Sequence, residues 1–191
     1  MRHRSALRVT AGGALLIGAL VFLLDGEALA ALASAAAVHE AGHLLALFLL
    51  GARFEAVSVR ATGPVLHCAE PLIGAEAAAA ALAGPAAGLV FWRILYVRWT
   101  LSAEMSLILS CVNLLPILPL DGGRALQAAV GSFRHGGAIL RSFRVATLAS
   151  LSFAGGYAAV RGLGFAPLFL VVWLAAAPEE TGGLVNLRRM L

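Results

Sequence analysis

An apolar stretch from about Ala28 to Leu50 carries three ionisable side chains, those of His39, Glu40 and His43. The stretch is long enough for a helix to cross a bilayer, which needs about 20 predominantly apolar residues. Ionisable groups at membrane depth are energetically costly and usually functional. This feature therefore predicts a membrane-spanning helix that carries a functional site.

The spacing of the three side chains is that of the pattern H-E-x-x-H. His39 and His43 are at positions i and i+4, so in a helix both project from one face and can bind one zinc ion. Glu40 lies between them, where it can act as a general base on a water molecule at the metal. The pattern is short enough to occur by chance, and the alternative is that these residues have only structural roles. Its position inside an apolar helix favours a zinc hydrolase site.

The composition of the chain is that of an integral membrane protein. Hydrophobic residues make up 61% of the 191 residues and charged residues 13%, and the mean hydropathy is +0.91. In a soluble protein about a quarter of the residues are charged. We expect residues 1–191 to form a single membrane-embedded domain. The net charge of +4 is explained by membrane topology, and no nucleic-acid partner is expected.

Apolar segments separated by polar turns predict an all-α polytopic membrane protein with about six transmembrane helices. The predicted segments are Ala11 to Leu24, Ala28 to Leu50, Ile73 to Tyr96, Ser102 to Leu115, Val145 to Val160 and Phe165 to Ala177. After the second segment, residues Arg53 to Pro71 partly alternate apolar and polar side chains around a Gly-Pro turn, which predicts a small β-hairpin. His67 and Cys68 in this hairpin would point to opposite faces of a strand and are not expected to share a metal. The basic stretch from Arg134 to Arg144 is expected to be a surface loop that contacts lipid headgroups or docks a cytoplasmic partner.

The arginines predict the orientation in the membrane. All 14 basic residues are arginine, and cytoplasmic segments of membrane proteins carry an excess of basic residues. With six crossings and a cytoplasmic N-terminus, the outer segments hold three of them, Arg93, Arg98 and Arg161, and the cytoplasmic segments hold eleven, Arg2, Arg4, Arg8, Arg53, Arg60, Arg124, Arg134, Arg141, Arg144, Arg188 and Arg189. Both termini are therefore expected in the cytoplasm. The N-terminal segment resembles a signal peptide but lacks a clear cleavage site, so we expect it to be retained as the first helix.

A third zinc ligand is required, because a catalytic zinc site has three protein ligands and one open position. Asp121 follows Pro116 and Pro119 in the sequence NLLPILPLDGG and is one of only two aspartates in the chain. The prolines are expected to interrupt the fourth helix at its cytoplasmic end, at a depth that His39 and His43 also reach. Asp121 is therefore the candidate third ligand.

The Asp-Gly-Gly sequence at 121–123 has a second interpretation. Asp-Gly pairs commonly form turns, so Asp121 could be only a turn residue. In the metal-site interpretation, Gly122 and Gly123 are expected to give the backbone room to bend, so that Asp121 turns toward the metal.

These motifs together resemble the site-2 protease family of intramembrane zinc metalloproteases, peptidase family M50. The likeness rests on HEAGH at 39–43, on N-x-x-P-x-x-P-L-D-G at 113–122 and on a lesser Ala-Gly-Pro motif at 83–85. The motif order, the hairpin and the six-helix plan are similar, and the core layout is most similar to the sporulation-protease branch. We expect the chain to depart from larger relatives, with neither an insertion that could be a PDZ domain nor a C-terminal CBS domain.

The resemblance implies a role for each matching residue. His39, His43 and Asp121 would bind one Zn²⁺ per chain, and Glu40 would be general base and acid. Asn113 would position the substrate or the carbonyl under attack, with a hydrogen bond between helices as its alternative role. The Ala-Gly-Pro motif is expected to serve helix packing.

The implied function is that of an intramembrane zinc metalloendopeptidase, which cleaves a transmembrane or membrane-tethered protein near the cytoplasmic face of a bacterial cell membrane. Candidate substrates are a membrane-bound transcription-factor precursor (a sporulation sigma factor included), an anti-sigma factor and leftover signal peptides; a regulatory membrane partner is left open. One alternative is a catalytically silent family member that binds membrane proteins. Another is a metal transporter, which would need polar residues on several further helices.

Overall fold

The chain is predominantly helical, with one small β-sheet near its N-terminal end. The computed structural model describes residues 6–60, 63–162, 172 and 175. Within these residues it contains six helices and three strands, which are β1 (Ala6–Val9), α1 (Ala11–Leu23), α2 (Gly26–Leu49), β2 (Phe54–Arg60), β3 (Gly63–Cys68), α3 (Gly74–Leu95), α4 (Thr100–Asn113), α5 (Asp121–Val130) and α6 (Gly136–Val160). The predicted fold class, a helical membrane protein with a small sheet after the H-E-x-x-H helix, is confirmed.

Two compact units make up the chain, Met1–Asn113 and Leu114–Leu191. In the first unit α2 packs against both α3 and α4, and α3 also packs against α4. In the second unit α5 packs against α6. The prediction of a single domain over residues 1–191 stays a prediction.

Small residues on one face of α2 allow the three helices of the first unit to pack closely. Ala31, Ala35, His39 and Gly42 are all buried, and their spacing of four, four and three residues keeps them on one side of the helix. A Cβ atom on Gly42 would lie 2.5 Å from the carbonyl oxygen of Ala83 in α3. Without a hydrophobic force between helices in lipid, such close backbone approach is a main source of helix association. The packing therefore brings the backbone of α3 close to the H-E-x-x-H turn.

The predicted hairpin is present and is part of a three-stranded sheet in the order β1-β2-β3. β2 and β3 pair antiparallel, whereas β1 pairs parallel with β2 and was not predicted. Thr10 joins this sheet to α1, because its Oγ1 donates to the carbonyl oxygen of Val59 (3.1 Å) and accepts from the backbone N–H of Gly13 (3.2 Å). A four-residue strand beside a basic N-terminus has no periodicity from which it could be recognised.

Apolar surface exposed on the helices identifies this as an integral membrane protein. Three described helices, α2, α3 and α6, are each long and apolar enough to cross a membrane, and α1 is a shorter apolar helix. Large side chains on their outer faces are uncovered, including Phe22 (88% exposed), Phe48 (79%) and Phe153 (80%). Exposed apolar surface on this scale is rare in soluble monomers. The predicted sixth segment, Phe165 to Ala177, lies outside the described residues apart from positions 172 and 175.

The basic stretch from Arg134 to Arg144 is helical from Gly136 onward, so the prediction of a loop was wrong. It contains the first turns of α6, which begins at Gly136 instead of about Val145. The helix before it, α5, was not predicted. Arginine is a good helix former, and the residues between the arginines include enough alanine and leucine to continue a helix. The fourth predicted helix also ends earlier, at Asn113, before Pro116.

Candidate metal centre

A backbone carbonyl of α3 fixes the imidazole of His43. Nδ1 of His43 lies 2.8 Å from the carbonyl oxygen of Ala80. A carbonyl oxygen can only accept a hydrogen bond, so Nδ1 carries the proton and donates. In a neutral imidazole this leaves a lone pair on Nε2, which is the state that a metal ligand needs.

The two histidines of the motif direct their Nε2 atoms toward one another. The Nε2 atoms of His39 and His43 are 3.2 Å apart, and the rings meet edge to face, with centroids 4.8 Å apart and planes at 77°. Two nitrogens bound to one tetrahedral zinc at the usual Zn–N lengths are separated by about 3.3 Å. The separation in the structure is therefore the one that two imidazole ligands of a single zinc ion would have.

The sequence around Asp121 positions this residue at the start of a helix. Asp121 is the first residue of α5 and is buried, directly after the segment 114–120 that follows α4. A Cβ atom on Gly122 would lie 2.2 Å from the carbonyl oxygen of Leu114, and one on Gly123 would lie 2.4 Å from the carbonyl oxygen of Ile117. Both glycines are helical and neither has a positive φ. They serve close approach of the preceding segment to the first turn of α5, and the predicted bending role was wrong.

His39, His43 and Asp121 form a group that could hold a metal ion. One ligand atom from each residue lies within 4.8 Å of the others. Two imidazole nitrogens and one carboxylate oxygen are a donor set found in catalytic zinc sites, which keep a fourth position open. The residues present therefore fit zinc.

The other two predicted site residues, Glu40 and Asn113, lie at half-buried positions. Glu40 follows His39 directly in α2. Asn113 is the last residue of α4, and its Nδ2 donates to the carbonyl oxygen of Leu109 over 2.9 Å. This hydrogen bond lies within α4 and does not link two helices. The amide has a second N–H and an oxygen with which a further group can be bound.

Two residues of α3 at this site were not predicted as functional, Ala80 and Gly84. Ala80 contributes only its backbone carbonyl, which every residue type possesses, so no sequence signal could identify it. Gly84 belongs to the Ala-Gly-Pro motif, which was expected to serve packing. A Cβ atom on Gly84 would lie 2.2 Å from Nε2 of His43, so this glycine packs against a candidate ligand.

His67 is occupied within the sheet. Its Nε2 is 2.8 Å from the Oγ of Ser58, across the β2–β3 hairpin. Among the described residues, the group that could hold a metal includes neither His67 nor Cys68. Their assignment as hairpin residues agrees with the structure.

Comparison with known proteins finds a family model that matches part of the chain and a solved structure with a similar fold. The model of peptidase family M50 matches residues 95–154, a range that includes Asn113 and Asp121 and excludes the H-E-x-x-H motif. The solved structure of the site-2 protease from Methanocaldococcus jannaschii is similar in fold, with a TM-score of 0.61 and 18% sequence identity over 91% of this chain and 92% of that chain. No curated protein sequence matches the chain. The chain therefore resembles the site-2 protease family, peptidase family M50, in its sequence over residues 95–154 and in its fold.

Proposed function

We propose that this protein is an intramembrane zinc metalloendopeptidase that cleaves a transmembrane or membrane-tethered protein near the cytoplasmic face of the membrane. The match of the peptidase family M50 model to residues 95–154 and the apolar helices support the general assignment. The observation that carries the proposal is the convergence of ligand atoms from His39, His43 and Asp121 within 4.8 Å. A glutamate adjacent in sequence to one of these ligands completes the set that peptide hydrolysis requires.

The proposed ligands are Nε2 of His39, Nε2 of His43 and a carboxylate oxygen of Asp121. When bound, zinc would supply Lewis-acid chemistry, which lowers the pKa of a water molecule and polarises the scissile carbonyl. The hydrogen bond from Nδ1 of His43 to Ala80 (2.8 Å) keeps the ligand nitrogen unprotonated and the ring in a fixed orientation.

Glu40 and Asn113 would act on the substrate. Glu40 would take the proton from the attacking water and pass it to the leaving nitrogen of the cleaved peptide bond. The second N–H of the Asn113 amide would donate to the carbonyl oxygen, where negative charge develops. Its first N–H is held by Leu109, which restricts the direction of the amide and so reduces the reorganisation needed during reaction.

A transmembrane substrate must expose its backbone before it can be cleaved, because helical hydrogen bonds cover the peptide groups. An extended substrate segment can pair with an exposed sheet edge. In the three-stranded sheet β2 is central, so its backbone groups are already paired on both sides. We propose that β3, an outer strand of the hairpin, pairs with the unwound substrate.

The test is a comparison of Glu40→Gln with Glu27→Gln, two isosteric changes in the same helix. Glu27 lies exposed in the first turn of α2. Purified wild-type protein and both variants should contain about one zinc per chain, since neither residue is a proposed ligand. Cleavage of a co-expressed transmembrane substrate should disappear only in Glu40→Gln. Cleavage by Glu40→Gln at the wild-type rate would refute the mechanism.

The substrate can be identified by quantitative membrane proteomics of cells that express wild-type protein or Glu40→Gln. The expected result is a membrane protein that accumulates intact in the variant and is shortened in the wild type. Zinc binding without any difference between the two proteomes would instead support a catalytically silent member of the family.

A further inference from the structure

We infer that α3 positions the His43 imidazole, and that Gly84 is a positioning residue for the metal. Two features of α3 do this, the backbone carbonyl of Ala80 and the absence of a side chain at Gly84, and together we call them the His43 seat. The inference rests on the proposed function only in taking zinc as the ion. It gives the Ala-Gly-Pro motif at 83–85 a role in ligand geometry in addition to helix packing.

Gly84 leaves no space for a methyl group beside His43. A Cβ atom at this position would lie 2.2 Å from Nε2 and 2.6 Å from both Cδ2 and Cε1 of the His43 ring. Carbon atoms in van der Waals contact are about 3.5–4.0 Å apart. An alanine at position 84 would therefore force the ring to move, and the nitrogen displaced most is the proposed ligand atom.

Two contacts with one helix restrict the His43 ring in different ways. The hydrogen bond from Nδ1 to Ala80 (2.8 Å) fixes one edge of the ring, and Gly84, one turn further along α3, contacts the Nε2 edge. Gly42 makes this arrangement possible, because its lack of a side chain lets α2 approach the Ala83 carbonyl. Outer partners of this kind typically change metal affinity by about 10- to 100-fold when they are altered.

Because the obstacle at Gly84 is the end of a side chain, movement of the ring can relieve the clash without unfolding the helix pair. The substitution should therefore reduce metal affinity more than stability. This separates a positioning role from simple packing, in which stability would fall and the affinity of the folded protein would not.

The experiment compares Gly84→Ala with Gly88→Ala in the full-length protein in detergent. Gly88 lies one turn further along α3, and a Cβ atom there would meet Oγ of Ser110 at 2.2 Å, so this control also inserts a methyl group into a helix contact but touches no proposed ligand. Zinc affinity is measured by competition with a chromophoric chelator, and thermal unfolding is recorded for each variant. We expect Gly84→Ala to bind zinc about 10- to 100-fold more weakly than wild type and Gly88→Ala to bind it within about twofold. Cobalt substitution should give a changed absorption spectrum only in Gly84→Ala.

Equal zinc affinity of Gly84→Ala and wild type would overturn the inference, as would an equal loss in both variants. If Gly84→Ala does not fold, nitrogen-15 NMR of zinc-free wild-type protein tests the inference instead, by showing which nitrogen of the His43 ring carries the proton. The His43→Gln variant assigns the signal of this ring. A ring protonated on Nδ1 supports the seat, and one protonated on Nε2 overturns it. Absence of zinc binding by wild-type protein would contradict the proposed function itself. This outcome differs from one in which wild-type protein binds zinc and Gly84→Ala binds it equally well, which contradicts only the positioning role of Gly84.

Discussion

The two aspartates of the chain both lie at helix starts and are expected to differ in role. Asp25 is the N-cap of α2, where its side chain accepts a hydrogen bond from the backbone N–H of Ala28 over 2.8 Å. Asp121 is the first residue of α5, is buried and lies within 4.8 Å of the histidine ligand atoms. An N-cap role is satisfied by asparagine as well as by aspartate, whereas a zinc ligand in this position needs a carboxylate.

We predict that Asp121→Asn lowers zinc affinity by more than about 100-fold, beyond the usual effect of outer-shell changes. Asp25→Asn, the matched control, should leave zinc affinity unchanged and alter the free energy of unfolding by less than about 0.5 kcal/mol. Both are measured by chelator competition and thermal unfolding of purified protein. Unaltered zinc content in Asp121→Asn would exclude this residue as a ligand.

The relative position of the two candidate ligand histidines was predictable from the sequence, and the contacts that support them were not. A separation of four residues brings His39 and His43 to one helix face whatever the tertiary structure is. The carbonyl of Ala80 and the space at Gly84 become meaningful only when α3 packs against α2, and pairwise packing is not encoded in local spacing.

In the second unit, glycine is required only where a helix lies in close contact with another backbone segment. Gly122 in α5 is pressed against the carbonyl of Leu114, whereas Gly156 in α6 has nothing within 4 Å of where a Cβ atom would lie. Replacing an unobstructed helical glycine by alanine typically stabilises a protein by about 0.4–1 kcal/mol. Forcing a methyl group against backbone typically costs about 1–3 kcal/mol. The same substitution is therefore expected to have opposite signs in the two helices.

We predict that Gly156→Ala raises the unfolding temperature, and that Gly122→Ala lowers it and also reduces zinc binding, because Asp121 precedes the obstructed residue. Thermal unfolding and zinc content of both variants check this. A stabilised Gly122→Ala protein with full zinc content would show that the segment before α5 does not fix Asp121.

Long apolar elements were predicted well, and short or basic elements were not. The limits of α1, α2 and α3 agree with the sequence prediction within about two residues. Helix ends commonly vary by this amount between methods of assignment. β1 and α5 were missed, because four residues of strand and ten of amphipathic helix stand out little from their surroundings. Their formation depends on β2 and α6, against which they pack.

The whole molecule is expected to sit in the membrane with both termini in the cytoplasm, since this orientation places most arginines on that side. Two exposed arginines outside the helices test it. Arg98 lies before α4 and Arg134 lies between α5 and α6, on opposite sides of the membrane in this topology.

We predict that a membrane-impermeant maleimide added to intact cells labels Arg98→Cys and not Arg134→Cys. Both variants are made in a background of Cys68→Ser and Cys111→Ser, which removes the two native cysteines. After the cells are opened both should react, which controls for accessibility. The reverse pattern in intact cells would invert the topology and move the proposed cleavage to the outer face.

Contact between Gly84 and a candidate ligand has a consequence for inherited variation. Every missense change of a glycine codon introduces a larger residue, because glycine alone has a hydrogen atom as its side chain. No amino-acid substitution at position 84 can therefore keep the space that the His43 ring occupies. In a saturation library selected for proteolysis, Gly84 and Gly42 should be depleted of all alternatives. Gly18 and Gly156, around which the structure is open, should tolerate many.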